Sequence, residues 1–160
     1  MATVTVAAEF DPLSEPEALA GLSTSLQAAA AERKMKVRCE IFTRDLQTVW
    51  SDEVKGTPGM MKKIVVSKAR SFFDGKELQD PGGCKTMCCF LCPWCWGCTK
   101  QMAVLGTVGI EVPGTAAACI VVSGAPAGSD DLAICKEALA AAGFAQNDAG
   151  VYTLTLSTAG

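Results

Sequence analysis

The sequence predicts an α+β fold in which two strand-helix-strand units form a ferredoxin-like sandwich. Patterns typical of strands occur near both ends of the chain, each next to an Ala- and Leu-rich stretch with helical spacing. With 160 residues, 49% of them hydrophobic, the chain is long enough for one domain with its own core. We therefore expect a single domain over 1–160: a first unit over 1–45, a basic, Cys-rich insertion with extra strands over 46–115, and a second unit over 116–160.

The first unit is predicted to run strand, helix, strand. The stretch TVTVAAEF alternates valine with threonine, as a half-buried strand does. The following SEPE has the composition of a capped helix N-terminus, and leucines then recur at helical spacing before the pattern fades near Lys34. In KVRCEIF, Val37, Cys39 and Ile41 share one face of a second strand, which directs Cys39 into the core.

The second unit repeats this order. ACIVVSG is a short β-branched run, and SDDLAICKEALAAAG begins with Ser129 as the predicted N-cap and ends at Gly143. The predicted buried stripe of this helix consists of Leu132, Cys135, Leu139 and Ala142. VYTLTLS alternates as a last strand would.

The stretch between the units is irregular. KKIVVSKARSFF is predicted to be a basic-edged strand, and DGKELQDPGG reads as a loop from its turn residues. QMAVLGTVGIEV is predicted to be a further strand. The clustered cysteines between them therefore lie on an excursion from the fold, where function is often carried.

Charge is distributed unevenly along the chain. Thirteen of the fourteen basic residues lie between Arg33 and Lys100, together with only seven acids, so this stretch is about +6 while the whole chain is −3. The asymmetry predicts that the middle of the chain faces an anionic surface. Its aromatic residues cluster with cysteine rather than alternating with Arg and Lys, so no nucleic-acid partner is expected.

The chain has no histidine and nine cysteines. Histidine-based catalysis and Cys₂His₂ zinc sites are thereby excluded, and no pair of carboxylates suggests acid–base chemistry. An odd number of cysteines without a recognisable signal peptide predicts a reducing, intracellular compartment. We expect the isolated thiols of Cys39, Cys119 and Cys135 to be ordinary core residues.

The stretch CCFLCPWCWGC suggests a metal site in one interpretation. The candidate thiolate ligands are Cys89, Cys92, Cys95 and Cys98, with Cys84 and Cys88 as alternates. Repeated two-residue gaps between thiolates are typical of zinc and iron–sulfur sites, so either cofactor is a candidate.

The residues between these cysteines suggest a membrane-peripheral protein in a second interpretation. Exposed aromatic and aliphatic side chains favour a bilayer interface or a hydrophobic partner subunit, and lysines and arginines attract anionic lipid. S-acylation of the clustered cysteines would strengthen such an attachment. The predicted contact residues are Phe90, Leu91, Trp94, Trp96, Lys62, Lys63, Lys68 and Arg70.

Three family resemblances arise at the same residues. CCFLCPWC resembles the three-cysteine motif of radical S-adenosylmethionine enzymes, through Cys88, Cys92 and Cys95. LCPWCWGC resembles the cornifelin-type cysteine-rich family, which implies association with a membrane. CPWCWG is similar to the active-site stretch of DsbA-like thioredoxin-superfamily proteins, which would make Cys92 the attacking thiol and Cys95 its resolving partner.

The sequence therefore predicts a non-enzymatic membrane-peripheral or membrane-complex protein that docks through its Cys/Trp-rich loop. A cysteine-ligated zinc or iron–sulfur module and a thiol–disulfide oxidoreductase are the alternatives.

Overall fold

The structure is a computed structural model that describes residues 16–78, 105–112 and 115–154. Its helices are α1 (Pro16–Glu32), α2 (Met61–Phe73) and α3 (Gly128–Ala141). Its strands are β1 (Arg38–Thr43), β2 (Thr48–Glu53), β3 (Thr107–Val112), β4 (Thr115–Ser123), β5 (Phe144–Gln146) and β6 (Tyr152–Leu154). The predicted first strand and the cysteine cluster lie outside the described residues.

The six strands form one mixed sheet in the order β2-β1-β4-β3-β6-β5. The β3–β6 pair is parallel and all other neighbours are antiparallel. The predicted α+β class is thus confirmed. The ferredoxin-like connectivity is not confirmed, because two unpredicted strands, β2 and β5, form the edges of the sheet and a third helix covers its second face.

Helices α1 and α3 pack against one face of the sheet and against each other. Leu22 and Leu26 of α1 are fully buried, as are Ile134, Cys135 and Leu139 of α3. From the sheet, alternate residues of β1 and β4 join the cluster together with residues of β3, β5 and β6, which confirms the predicted inward direction of Cys39. Burial of these apolar residues explains why both Ala- and Leu-rich stretches form helices.

The other face of the sheet carries α2, where the sequence pattern predicted a strand. That prediction is wrong, since 61–73 forms a helix whose Val65 and Ala69, one turn apart, pack on the sheet beside Phe42 and Val121. The run Ile-Val-Val favours a strand locally, but packing of one helical face onto the sheet overrides that preference.

The start of α3 also differs from the prediction. The helix begins at Gly128, with Ala127 in the N-cap position and no side-chain cap, so Ser129 is not the cap. Within the described ranges, no helix has the length and apolar character needed to cross a membrane.

Candidate functional site

The sequence-predicted site residues fall into two groups. Every one of the predicted ligands and contacts between Cys84 and Cys98 lies outside the described residues. The four basic residues, in contrast, all lie on α2, where Lys62, Lys63 and Arg70 are exposed while Lys68 is buried. The predicted basic surface is therefore not continuous, because Lys68 points into the protein.

Lys68 is the centre of a buried polar site, and its ammonium group makes three contacts. Nζ donates to the carbonyl oxygens of Leu105 at 2.9 Å and Val122 at 3.0 Å, and to Oδ2 of Asp131 at 2.9 Å. The two charged side chains are only 2% and 3% exposed. We call these four residues the Lys68 anchor, since they join α2, the chain before β3, the end of β4 and the first turn of α3.

Asp131 completes the anchor from α3. Its Oδ1 accepts a hydrogen bond from the Ala125 N–H at 2.9 Å, while Oδ2 receives Lys68. Burial raises the pKa of the Asp131 carboxyl above its usual value, against the opposing effects of Lys68 and of the Ala125 hydrogen bond. Both carboxylate oxygens have partners, as a buried charge requires.

Gly106 makes room for this arrangement. A Cβ atom at this position would lie 2.6 Å from the Val122 carbonyl oxygen and 2.9 Å from both Lys68 Nζ and Asp131 Cβ. Its φ of +118° is also a conformation that residues with side chains rarely adopt. A glycine is therefore needed where the chain passes the ion pair.

Two further polar groups are buried at the interface between α2 and the sheet. Ser71 Oγ of α2 and Thr107 Oγ1 of β3 are buried and have no hydrogen-bond partner. Thr107 pairs with Val121, which packs in the α2 cluster, so its side chain lies on the α2 face of the sheet. This face is thus unusually polar for a buried surface.

The described cysteines form no reactive centre. Cys39, Cys119 and Cys135 are free and fully buried in the core, as predicted. Burial raises the pKa of all three thiols, that of Cys135 to about 12, so they remain protonated at neutral pH. No group of three or more potential metal ligands occurs among residues 16–78, 105–112 and 115–154.

The chemistry of the Lys68 anchor is that of a structural centre. An ammonium group has three N–H donors, and those of Lys68 have three acceptors, so it offers neither a free donor nor an exposed nucleophile. Sequence reasoning missed the anchor because it placed Lys68 on a strand. On a helix, Lys68 follows Ile64 by four residues, and this spacing puts it on the buried side.

No family model and no curated protein matches the chain. Among solved structures, the chain is similar to HbpS, with a TM-score of 0.57 and 18% identity over 86% of this chain and 92% of that one. The heme complex of PduOC has a TM-score of 0.58 and 15% identity, over 79% of this chain and 93% of that one.

A third similar structure is ORFY of Klebsiella pneumoniae, a DUF336 protein. Its TM-score is 0.58 at 16% identity, and the match covers 89% of this chain and 96% of that one. All three matches extend over most of both chains, so the likeness concerns the whole fold rather than a local motif.

These findings correct the function predicted from the sequence. The cornifelin resemblance is wrong, because no family model matches the chain and the similar solved structures are those of HbpS and a DUF336 protein. Membrane docking, a zinc or iron–sulfur module and thiol–disulfide exchange are overturned as well, since the structural neighbours are HbpS, PduOC and a DUF336 protein. The chain has the fold that these three proteins share.

Proposed function

We propose that this protein binds heme, and that a cysteine thiolate from the 84–98 stretch would hold its iron. The observation that carries the proposal is the similarity to PduOC, whose structure was determined as a heme complex. A fold supports many functions, so the residues of this chain must also suit the ligand.

The choice of ligand follows from which groups the chain can offer. Heme iron is held in proteins by a His, Cys or Tyr side chain, or by Met together with His, and this chain has no histidine. The thiols of Cys39, Cys119 and Cys135 are sealed in the core, and Tyr152 is only 5% exposed. Six of the nine cysteines remain, and all of them lie between Cys84 and Cys98.

The composition of that stretch supports a porphyrin ligand. Phe90, Trp94 and Trp96 alternate with the cysteines in sequence and could supply apolar contacts to a flat macrocycle, as ligand pockets usually do. When bound, heme would supply a redox-active iron and a strong visible absorption. The role of this chain's own residues would be to provide the thiolate and to cover the ring.

The test is a heme titration of the full-length, reduced protein, followed by absorption spectroscopy. We expect saturation at one heme per chain and the red-shifted Soret band of a ferrous carbonyl adduct that is typical of thiolate ligation. A variant with all six cysteines from 84 to 98 changed to serine should bind heme at least about tenfold more weakly and lose that band.

The matched control is Cys119→Ala, which removes a buried thiol and should leave the heme spectrum unchanged. The proposal fails if the wild-type protein does not bind heme, or if the six-serine variant binds it with the same affinity and spectrum.

A further inference from the structure

The Lys68 anchor occupies a particular place along the chain. Residues 79–104 connect α2 to β3, and Leu105, the first described residue after this stretch, accepts a hydrogen bond from Lys68. The same α2 leads into the stretch, since its C-terminal turn is closed by bonds from Asp74 N–H to Arg70 O and from Gly75 N–H to Phe72 O. One helix is therefore linked to both ends of 79–104.

The contacts of Lys68 also fix the start of β3 relative to β4. Gly106, next to Leu105, accepts a 2.8 Å hydrogen bond from the Val122 N–H, and the Val122 carbonyl accepts from Lys68. Asp131 holds the Lys68 ammonium from α3 and also binds the Ala125 N–H in the turn after β4. Replacing Lys68 by an apolar residue would leave three acceptors without their donor. We call this part of the sheet, where β3 begins and β4 ends, the β3–β4 corner.

We propose that Lys68 is a positioning residue whose buried contacts fix the point at which residues 79–104 rejoin the sheet. In this role, the anchor forms a local unit of stability at the β3–β4 corner and links α2 to the first turn of α3. Loss of Lys68 opens the corner while the strand pair β1–β2, at the far side of β4, stays closed.

This role has a consequence for the six cysteines. Because they lie in the stretch whose return point Lys68 fixes, a ligand held by them is coupled energetically to the anchor. The coupling between such a ligand and the Lys68 anchor rests on the proposed function. The role of Lys68 in holding the β3–β4 corner does not.

The test compares amide hydrogen exchange in the wild type, Lys68→Met and Lys62→Met, which alters an exposed lysine of the same helix. The reporter is the Val122 N–H, bonded to Gly106, and the reference is the Val54 N–H, bonded to Val37 at 2.9 Å next to the β1–β2 pair. In Lys68→Met, exchange at Val122 should accelerate at least about tenfold more than at Val54. Lys62→Met should change neither.

A second variant keeps the test decisive if Lys68→Met does not fold. Asp131→Asn removes the charge but keeps an oxygen for Ala125, so it should accelerate exchange at Val122 in the same selective manner and by a smaller factor. Equal acceleration at Val122 and Val54 in both variants, or none at either amide, would overturn the positioning role.

Heme titration of the same variants separates the two proposals. If the wild type binds heme, Lys68→Met should bind it more weakly than Lys62→Met, with unchanged absorption bands because all six cysteines of the 84–98 stretch are retained. If the wild type does not bind heme, the proposed function fails, and the role of Lys68 is decided by hydrogen exchange alone.

Discussion

The two faces of the sheet are stabilised differently. Among the described residues, eighteen buried apolar side chains form the cluster between the sheet and helices α1 and α3, whereas five form the cluster under α2. The α2 face instead holds two buried hydroxyls without partners and the buried Glu40, which lies opposite Val121, and Lys68 of α2 pairs with Asp131 of α3.

This difference separates two ways of attaching a helix. Helices α1 and α3 pack mainly through a large buried apolar area, and the hydrophobic attraction that holds them is non-directional. Helix α2 has fewer apolar contacts and depends on Lys68 reaching its three acceptors, which demands one arrangement. We therefore expect the α2 face to be more sensitive to loss of single polar groups.

The largest effect is expected at the ion pair. Lys68→Met should lower the free energy of unfolding by about 3–5 kcal/mol, because the Asp131 carboxylate remains buried without its counter-charge. The double variant Lys68→Met/Asp131→Leu should be much less destabilised than Lys68→Met alone, since two apolar side chains replace the pair. Urea unfolding of the single and double variants measures the coupling.

A double variant as unstable as Lys68→Met would contradict this expectation. It would mean that the bonds from Lys68 to Leu105 and Val122, rather than the charge pair, carry the stabilisation.

A smaller effect distinguishes the two apolar clusters. Val121 and Val122 are adjacent, equally buried residues of β4 whose side chains lie on opposite faces. We expect Val122→Ala, on the α1 and α3 face, to cost about 2–3 kcal/mol and Val121→Ala, on the α2 face, about 1–2 kcal/mol. The atoms removed are identical, and the larger, more constrained cluster has less freedom to close the cavity.

Chemical denaturation of both valine variants under the same conditions gives the comparison directly. A larger cost for Val121→Ala would show that α2 is held as tightly by apolar packing as the other two helices are.

The smallest effect is a pH dependence that Asp131 contributes. Because its folded-state pKa is raised above the usual value of 3.8, the folded protein binds this proton more tightly than the unfolded chain does. The Asp131 contribution to stability therefore decreases as the pH rises from about 4 through the folded-state pKa. Asp131→Asn should lack this decrease.

In Lys68→Met, the Asp131 carboxyl loses its counter-charge, so the folded-state pKa of Asp131 should rise further above its usual value. The destabilisation by Lys68→Met should be smaller at acidic than at neutral pH, because a protonated Asp131 needs no counter-charge. Urea unfolding of the wild type, Lys68→Met and Asp131→Asn between acidic and neutral pH measures these dependences. A loss of unfolding free energy in Lys68→Met that is the same at every pH would contradict the expectation.

Much of the apolar architecture was predictable from the sequence. Leu22 and Leu26, or Cys135 and Leu139, recur at helical spacing and are buried in one cluster as expected. The strand with Cys39 and the run ending β4 were also predicted, because alternation and β-branched runs are local signals. The candidate heme ligands could be named only by elimination, from the absence of histidine and the burial of the other thiols.

The α+β class, the helices α1 and α3 and the inward direction of the core cysteines follow from the sequence, because residue periodicity encodes which face of an element avoids water. Long-range packing, in contrast, makes 61–73 a helix and brings Lys68 to Asp131, 63 residues further along the chain. A local pattern cannot contain that pairing, since a buried charge is tolerated only where distant parts of the chain supply its partners.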